Sequence, residues 1–165
     1  MKLSPLQLLE YFVAEFHYSV NSRYDAKKDL ELKPDELTTE TTCNPGKSNP
    51  RLWTVTIDVK YQPAAETNTP YVFSLSLVGF FEVAKAFDET RVALLVKTNG
   101  ASVLYGTARE IIREQTSRGP AGPFLLPTTS FVPDDPPATP AAEAGATPTV
   151  AQPAPGAGAH TPPGP

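Results

Sequence analysis

The stretch that decides the fold runs from Asn99 to Pro127 and reads NGASVLYGTAREIIREQTSRGPAGPFLLP. Its apolar side chains recur every three or four residues, which predicts an amphipathic helix packed on a sheet. The apolar stripe comprises Leu104, Ala108, Ile111, Ile112 and Gln115, and the polar side comprises Arg109, Glu110, Arg113 and Glu114. Asn99 or Ser102 is expected to cap the start. Gly119 is expected to close the helix in the left-handed conformation, since Pro120 cannot continue it.

Two segments before this helix alternate apolar and polar residues, which is typical of strands with one buried face. The apolar positions of the first segment are Trp53, Val55, Ile57, Val59 and Tyr61. Those of the second are Tyr71, Phe73, Leu75, Leu77, Phe81 and Val83. Both segments are therefore predicted to be strands of one sheet.

The amino-terminal part of the chain predicts two further strands. The earlier one places Phe12, Ala14, Phe16, Tyr18 and Val20 on its buried face, with Val13, Glu15, His17 and Ser19 opposite. A weaker strand is predicted at residues 29–37, followed by a long turn at residues 38–50. The predicted fold class is α+β: a four-stranded antiparallel sheet, in a meander, with one long helix and short helical segments on one face.

The last 33 residues differ in composition from the rest of the chain. Ten of residues 133–165 are proline and nine are alanine, and none is basic or aromatic. Such a segment cannot bury enough apolar surface to offset the entropy lost on ordering it. We therefore predict a globular domain at residues 1–132 and a disordered tail at residues 133–165.

Charge and cysteine content argue against several classes of function. The predicted tail holds three of the 18 acidic residues and none of the 14 basic ones, so the domain is nearly neutral. It offers no basic patch for nucleic acid. The single cysteine, Cys43, favours a reducing, cytoplasmic location. We expect no signal peptide and no membrane insertion, since no apolar run is long enough.

Residue types that support catalysis are sparse. The two histidines are His17, predicted at a strand surface, and His160, in the predicted tail. One cysteine and two histidines give no zinc-binding spacing, and no glycine-rich loop precedes a Lys-Ser or Lys-Thr pair. We therefore expect no catalytic site, no metal and no cofactor, and a protein that works by binding.

The sequence from Tyr71 to Phe131 resembles the carboxy-terminal half of the SecB protein-export chaperone family. The resemblance rests on Gly79-Phe80-Phe81-Glu82-Val83, Leu104-Tyr105-x-x-Ala108-Arg109-Glu110, Thr116-Ser117-Arg118-Gly119, and Pro123-x-Leu125-Leu126-Pro127 with Phe131. One departure is Gly106-Thr107, where the family has Pro-Tyr. The resemblance implies a SecB-like fold with a further helix capped near Asp88, assembled as a homotetramer that is a dimer of dimers.

The resemblance also implies a function: a chaperone that binds unfolded preproteins, keeps them competent for export and delivers them to SecA. Client binding is expected at Phe124, Leu125, Leu126 and Phe131, and the oligomer interface at Leu104, Ala108, Ile111 and Ile112. Core packing is the alternative role of each of these residues. Glu15 is the expected SecA-docking acid, whereas Ser74 stands where the family carries another acid.

Two other functions remain open. Ser74, together with a Pro/Ala-rich tail in place of the family's second carboxy-terminal helix, fits a chaperone dedicated to one partner, such as the antitoxin of a toxin–antitoxin system. The other is a structural oligomer whose apolar face serves only self-assembly. All three readings predict self-association, because one long helix cannot cover the aromatic face of the sheet.

Overall fold

The computed structural model describes residues 3–133, all of them within the first of two compact units, Met1–Pro133. The predicted tail lies outside the described residues, apart from Pro133. The described part is α+β, as predicted: a four-stranded antiparallel sheet carries helical segments on one face. We call the opposite face of the sheet the outer face.

The sheet has the strand order β1-β4-β3-β2, and every neighbouring pair is antiparallel. Its strands are β1 (Leu6–Val20), β2 (Leu37–Pro45), β3 (Leu52–Tyr61) and β4 (Tyr71–Val83). The predicted meander is correct from β2 to β4 but wrong for β1, which lies beside β4 as in a Greek key. Both β1 and β2 are therefore edge strands.

Strands β3 and β4 form the centre of the sheet, as their alternation predicts. In β4, for example, Leu75 and Leu77 are buried whereas Ser76 between them is half-buried on the outer face. A Cβ on Gly79 would come within 2.8 Å of Leu104 Cδ2. The helix therefore lies directly on β4, and this close approach requires the glycine at position 79.

Two sequence-based predictions, a strand at residues 29–37 and a turn at residues 38–50, are wrong around strand β2. The predicted weak strand at residues 29–37 is largely irregular and ends in a 3₁₀ turn, Pro34–Glu36. The predicted turn at residues 38–50 is instead mostly strand, because β2 pairs with β3 from Leu37 to Pro45. Four of its residues are threonine, and β-branched side chains favour a strand even where no apolar alternation marks it.

Strand β1 contains two irregularities in its pairing with β4. The register shifts between Leu8 and Glu10 and again between Val13 and Glu15. Each shift adds one unpaired residue to β1, as in a β-bulge. A slip of one residue exchanges the two faces of a strand, so the strict alternation assumed from the sequence does not hold along β1.

The first bulge reverses the predicted facing of two apolar residues. Cross-strand partners lie on the same face of a sheet. Phe12 pairs with Val78 on the outer face, whereas Val13 pairs with Leu77 on the face that carries the helices. The predicted facings of Phe12 and Val13 are therefore wrong. Phe16, beyond the second bulge, faces the helices as predicted.

The helical part is almost continuous. It consists of a 3₁₀ turn (Glu89–Arg91), α1 (Val92–Leu95), a π-helical segment (Val96–Gly100) and α2 (Ala101–Thr116). Asp88 Oδ1 accepts a hydrogen bond from the Thr90 N–H at 3.0 Å, which confirms the expected cap near Asp88. The predicted helix start at Asn99 or Ser102 is wrong, because the chain is already helical there.

The end of α2 is fixed by Tyr71. The Tyr71 hydroxyl donates to the carbonyl oxygen of Gly122 at 2.6 Å and accepts from the Ala121 N–H at 3.3 Å. A Cβ on Gly119 would come within 2.5 Å of this hydroxyl. Gly119 is therefore required by close approach, and the left-handed conformation predicted for it belongs to Gly122, whose φ is 72°.

Candidate functional site

Residues 123–131, which we call the strap, follow the helix end without regular secondary structure. Alternate side chains of an extended chain point in opposite directions. In the strap, Phe124 and Leu126 are buried, while Leu125 between them is 64% exposed. The strap therefore has an inner and an outer side, and the four predicted client-binding residues divide between them.

The inner side of the strap completes the aromatic core. The ring of Phe124 lies 5.3 Å from that of Tyr61, 5.4 Å from that of Phe73 and 6.1 Å from that of Tyr71, measured between centroids. Leu126 is 1% exposed in the same core. For Phe124 and Leu126, the sequence does not distinguish a client-binding groove from the core. In the structure both side chains fill the core.

Three side chains of α2 hold the backbone of the strap. The Thr116 hydroxyl accepts from the Phe124 N–H at 2.7 Å, and Arg109 Nε donates to the Leu126 carbonyl oxygen at 3.1 Å. The Tyr105 hydroxyl donates to the carbonyl oxygen of Pro127 at 2.8 Å. Burial raises the pKa of Tyr105, and a tyrosine hydroxyl is a donor at neutral pH even without that shift.

These three hydrogen bonds from α2 to the strap, which we call tethers, give a structural role to residues of the sequence motifs. Tyr105, Arg109 and Thr116 belong to the segments that carry the family resemblance, and each contacts the strap. The sequence predicts Arg109 on the polar side of the helix, whereas in the structure this residue is half-buried. The spacing of Tyr105 and Arg109, four residues apart on one helix face, was the signal that could have identified them as a pair.

The outer side of the strap is apolar and accessible. Leu125 is exposed, and Phe131 is half-buried, with its ring centroid 5.6 Å from that of Tyr105 in an edge-to-face arrangement. Leu125 and Phe131 are the two predicted client-binding residues that present side-chain surface. Their binding of a client remains a prediction.

Strand β1 carries exposed apolar residues on both faces. On the outer face, Phe12 is 47% exposed and its ring lies 6.1 Å from that of Phe80. On the face that carries the helices, Tyr11 and Val13 are exposed. The outward edge of β1 pairs with no other described strand. Unpaired apolar edges of this kind are templates for association.

The predicted oligomer interface on the helix lies largely inside this chain. Leu104, Ala108 and Ile112 are fully buried against the sheet, and only Ile111 is half-buried. Gln115, predicted within the apolar stripe, is exposed, and Thr116 takes the last buried position of α2. The three buried side chains have no free surface in the single chain, and the interface itself remains a prediction.

Glu15 lies on the outer face, as predicted from the sequence, and its docking of a partner remains a prediction. Its Oε1 lies 2.7 Å from His17 Nε2, and both side chains are exposed. Through the strand pairings, Glu15 shares one cross-strand row with Ser76, Asp58 and Glu40. The outer face therefore carries three carboxylates in line.

A carboxylate that the sequence did not single out is mostly buried. The side chain of Glu36 is 10% exposed, and its Oε1 accepts from the Thr67 hydroxyl at 2.6 Å and from the Ala64 N–H at 3.0 Å. The Thr67 hydrogen bond, above all, lowers the pKa of Glu36. Glu36 thereby joins the 3₁₀ turn before β2 to the loop between β3 and β4, a structural role that a glutamate in a polar loop does not signal.

Two features of the described residues concern metal binding and membrane insertion. Within residues 3–133, no group of three or more His, Cys, Asp or Glu side chains is arranged to hold a metal ion. No helix in the same range is long and apolar enough to cross a membrane. The free thiol of Cys43 is half-buried in β2, and burial raises its pKa.

Comparisons with known proteins find similarity in structure alone. No protein-family model matches this sequence, and no characterised protein matches it in sequence. The chain is similar to a SecB-like chaperone of Mycobacterium tuberculosis, solved in complex with a ChAD peptide from the HigA1 antitoxin. The TM-score is 0.55 at 18% identity, covering 76% of this chain and 90% of that one.

A second similar structure is a protein of unknown function from Streptococcus agalactiae. Its TM-score is 0.43 at 13% identity, and the match covers 74% of this chain and 97% of that one. The likeness to the mycobacterial chaperone concerns the fold: this chain has a SecB-like fold.

Proposed function

We propose that this protein is a SecB-like chaperone that binds unfolded segments of other proteins and prevents their aggregation. The observation that carries the proposal is the apolar surface that the strap presents on a SecB-like fold, at the exposed Leu125 and the half-buried Phe131. Exposed apolar patches commonly mark binding surfaces. The proposal is for a binding protein and not an enzyme, acting in the cytoplasm.

The chemistry of this surface fits clients of varied sequence. Apolar contact is not directional, and an extended peptide can add hydrogen bonds at an unpaired strand edge. A micromolar dissociation constant needs about 8 kcal/mol. Four side chains buried at about 2 kcal/mol each would supply that amount before ordering costs. The antitoxin peptide bound to the mycobacterial protein supports an extended segment as the type of client.

Light scattering of a heat-unfolded test protein, with and without this chain, tests the proposal. We expect the chain to suppress the rise in scattering, because the unfolded protein would bind to it before binding to other copies of itself. No suppression at a molar excess would contradict the proposal of a general chaperone and would leave the dedicated chaperone and the structural oligomer.

A pair of strap variants locates the binding surface. Leu125→Asp should weaken suppression, because a charge on the outer side of the strap must be dehydrated to meet an apolar client. Ser130→Asp adds the same charge to the same strap at an exposed polar position, and should act like the wild type. Circular dichroism confirms that both are folded. Full activity of Leu125→Asp would remove Leu125 from the site.

We further propose that the protein assembles as a homotetramer, a dimer of dimers. The support is the exposed edge of β1, which has Phe12 on one face and Tyr11 and Val13 on the other. Pairing of β1 with β1 of a second copy would extend the sheet and bring these side chains against those of the second copy on each face. The exposed side of the helical segments is then available for the second type of contact.

Delivery to SecA is the finer part of the proposal and rests on Glu15. The row of Glu15, Asp58 and Glu40 gives the outer face a negative field that would attract a basic partner. Reversing one exposed charge should leave stability nearly unchanged. It should slow association, with a loss that shrinks as salt screens the charges.

Titration of SecA against wild type, Glu15→Ala and Glu15→Lys at two salt concentrations tests this step. We expect the weakest binding for Glu15→Lys, mainly at low salt. Identical curves for all three would exclude docking at Glu15. The second candidate, a chaperone dedicated to one antitoxin, would then be favoured, in agreement with Ser74 and the antitoxin peptide of the mycobacterial structure. An antitoxin gene beside this one would support it.

A further inference from the structure

The strap is attached in an unusual way for a segment that fills a core. None of residues 123–131 makes a backbone–backbone hydrogen bond to another described residue. The tethers are side-chain bonds from Tyr105, Arg109 and Thr116, and the remaining attachment is the burial of Phe124 and Leu126. Such a segment can leave its site without disrupting a strand or a helix.

The surface beneath the strap has the features of a peptide-binding cleft. Its floor is aromatic, formed by Tyr61, Tyr71 and Phe73, and α2 forms one wall with polar groups aimed at a backbone. Two apolar side chains, two residues apart in an extended chain, fill it. Beside the strap runs a groove of about 410 Å³, lined in part by Leu37, Thr39 and Pro127, so the cleft continues to the surface.

We propose that the strap is the resident occupant of this cleft. The cleft binds an extended segment that carries large apolar side chains two residues apart. Phe124 and Leu126 fill it until a client with the same pattern displaces the strap. The identity of the client rests on the proposed function, whereas the self-occupied cleft rests on contacts within this chain.

Self-occupation has a measurable consequence for affinity. The apparent dissociation constant equals the intrinsic constant divided by the fraction of molecules in which the cleft is free. Loosening the strap raises that fraction and should tighten binding. If the strap is only part of the core, loosening it should weaken binding, because it would damage the fold that any ligand needs. The sign of the change separates the two roles.

The experiment loosens the strap without changing the cleft or the buried side chains. Pro123→Gly and Pro127→Gly alter exposed positions of the strap and leave Tyr105, Arg109 and Thr116 able to hold a probe. The probe is a fluorescent peptide with the sequence of residues 123–131, added to the full chain. Glycine in place of proline favours the released strap entropically, so we expect roughly two- to fivefold tighter probe binding in each variant.

Matched controls define the comparison. Pro50→Gly, at an exposed proline outside the strap, should bind the probe like the wild type. The same peptide with serine at the positions of Phe124 and Leu126 should not compete. Faster amide exchange at Phe124, whose N–H donates to the Thr116 hydroxyl, reports loosening in the two strap variants.

The outcomes are distinct from those of the aggregation assay. Unchanged or weaker probe binding in folded Pro123→Gly and Pro127→Gly proteins would overturn the self-occupied cleft, even if aggregation is suppressed. Tighter binding would support it, even if the chain suppresses no aggregation and the proposed chaperone function fails.

Discussion

Tyr71 shows how one residue can join two layers of this protein. It starts β4, and its hydroxyl reaches the turn that ends α2, where Gly119, Ala121 and Gly122 surround it. The ring of Tyr18, from the neighbouring strand, lies 5.7 Å away. The turn between helix and strap is therefore positioned by the sheet, and it admits no larger side chain at position 119.

Gly119→Ala should lower the free energy of unfolding by about 1–3 kcal/mol, the usual cost of overpacking. The added Cβ would come within 2.5 Å of the Tyr71 hydroxyl and 2.9 Å of the Tyr18 hydroxyl. Gly106→Ala is the matched control: it is exposed in α2 with no atom within 4 Å of the new Cβ. It should raise stability by about 1 kcal/mol. Urea unfolding followed by circular dichroism measures both, and a shared sign would contradict the argument.

Glu36 should make stability depend on pH in the acid range. The Thr67 hydroxyl, above all, holds the pKa of Glu36 below its ordinary value. A carboxyl group with a lowered folded pKa stabilises the fold at pH above its unfolded pKa. That stabilisation is lost as the pH falls through the folded pKa.

The test compares Glu36→Gln with the wild type by urea unfolding at neutral pH and below the ordinary glutamate pKa of about 4.3. The variant should be less stable at neutral pH, and its stability should fall less on acidification. Glu114→Gln, at an exposed position of α2, provides the control. An equal fall in the wild type and Glu36→Gln would show that Glu36 does not contribute.

At the scale of elements, two neighbouring residues of the strap should differ strongly in their effect on stability. Leu126→Asp should destabilise the protein by more than about 3 kcal/mol, because it leaves a cavity and buries a charge. Leu125→Asp, one residue earlier and exposed, should leave the melting temperature nearly unchanged. Thermal unfolding followed by circular dichroism decides. Similar losses in both variants would show that the strap does not alternate as described.

The strands show which patterns a sequence can reveal. β3 and β4 were predictable because one face is dry and the other is wet, so apolar residues recur with a period of two. β2 was missed because it is an edge strand of threonines, whose pairing with β3 depends on backbone and not on apolar side chains. The bulges in β1 leave no trace in composition, and they alone exchange the faces of Phe12 and Val13.

The sequence predicts which segment forms the candidate site, but not which of its side chains are exposed. Proline-bounded apolar residues at 123–127 indicated a functional or core segment, and the structure shows which side chains are inward. The period of two within the strap could have separated Leu125 from Phe124 and Leu126. The spacing of Tyr105 and Arg109 could have paired these two residues, but not identified their acceptors, since a hydrogen bond to a carbonyl oxygen depends on where the strap turns back along α2.

At the scale of the whole molecule, the apolar edge of β1 predicts self-association. Size exclusion with light scattering should report at least a dimer for the wild type at micromolar concentration. Phe12→Lys should shift the protein towards monomer, because it adds a charge on the outer face beside Phe80. Leu30→Lys, at an exposed apolar position outside β1, is the control. A stable wild-type monomer would contradict the prediction.

The order of the strands also determines how long β1 stays unpaired during synthesis of the chain. Leu6 pairs with Val83, so β1 leaves the ribosome long before the strand that will hold it. At about 5–20 residues per second, the interval is roughly 4–15 s. During that interval β1 is unpaired, and its residues Tyr11, Phe12 and Val13 are exposed to other nascent chains. Slow translation of the segment between β1 and β4 would lengthen the exposure and lower the yield of folded protein.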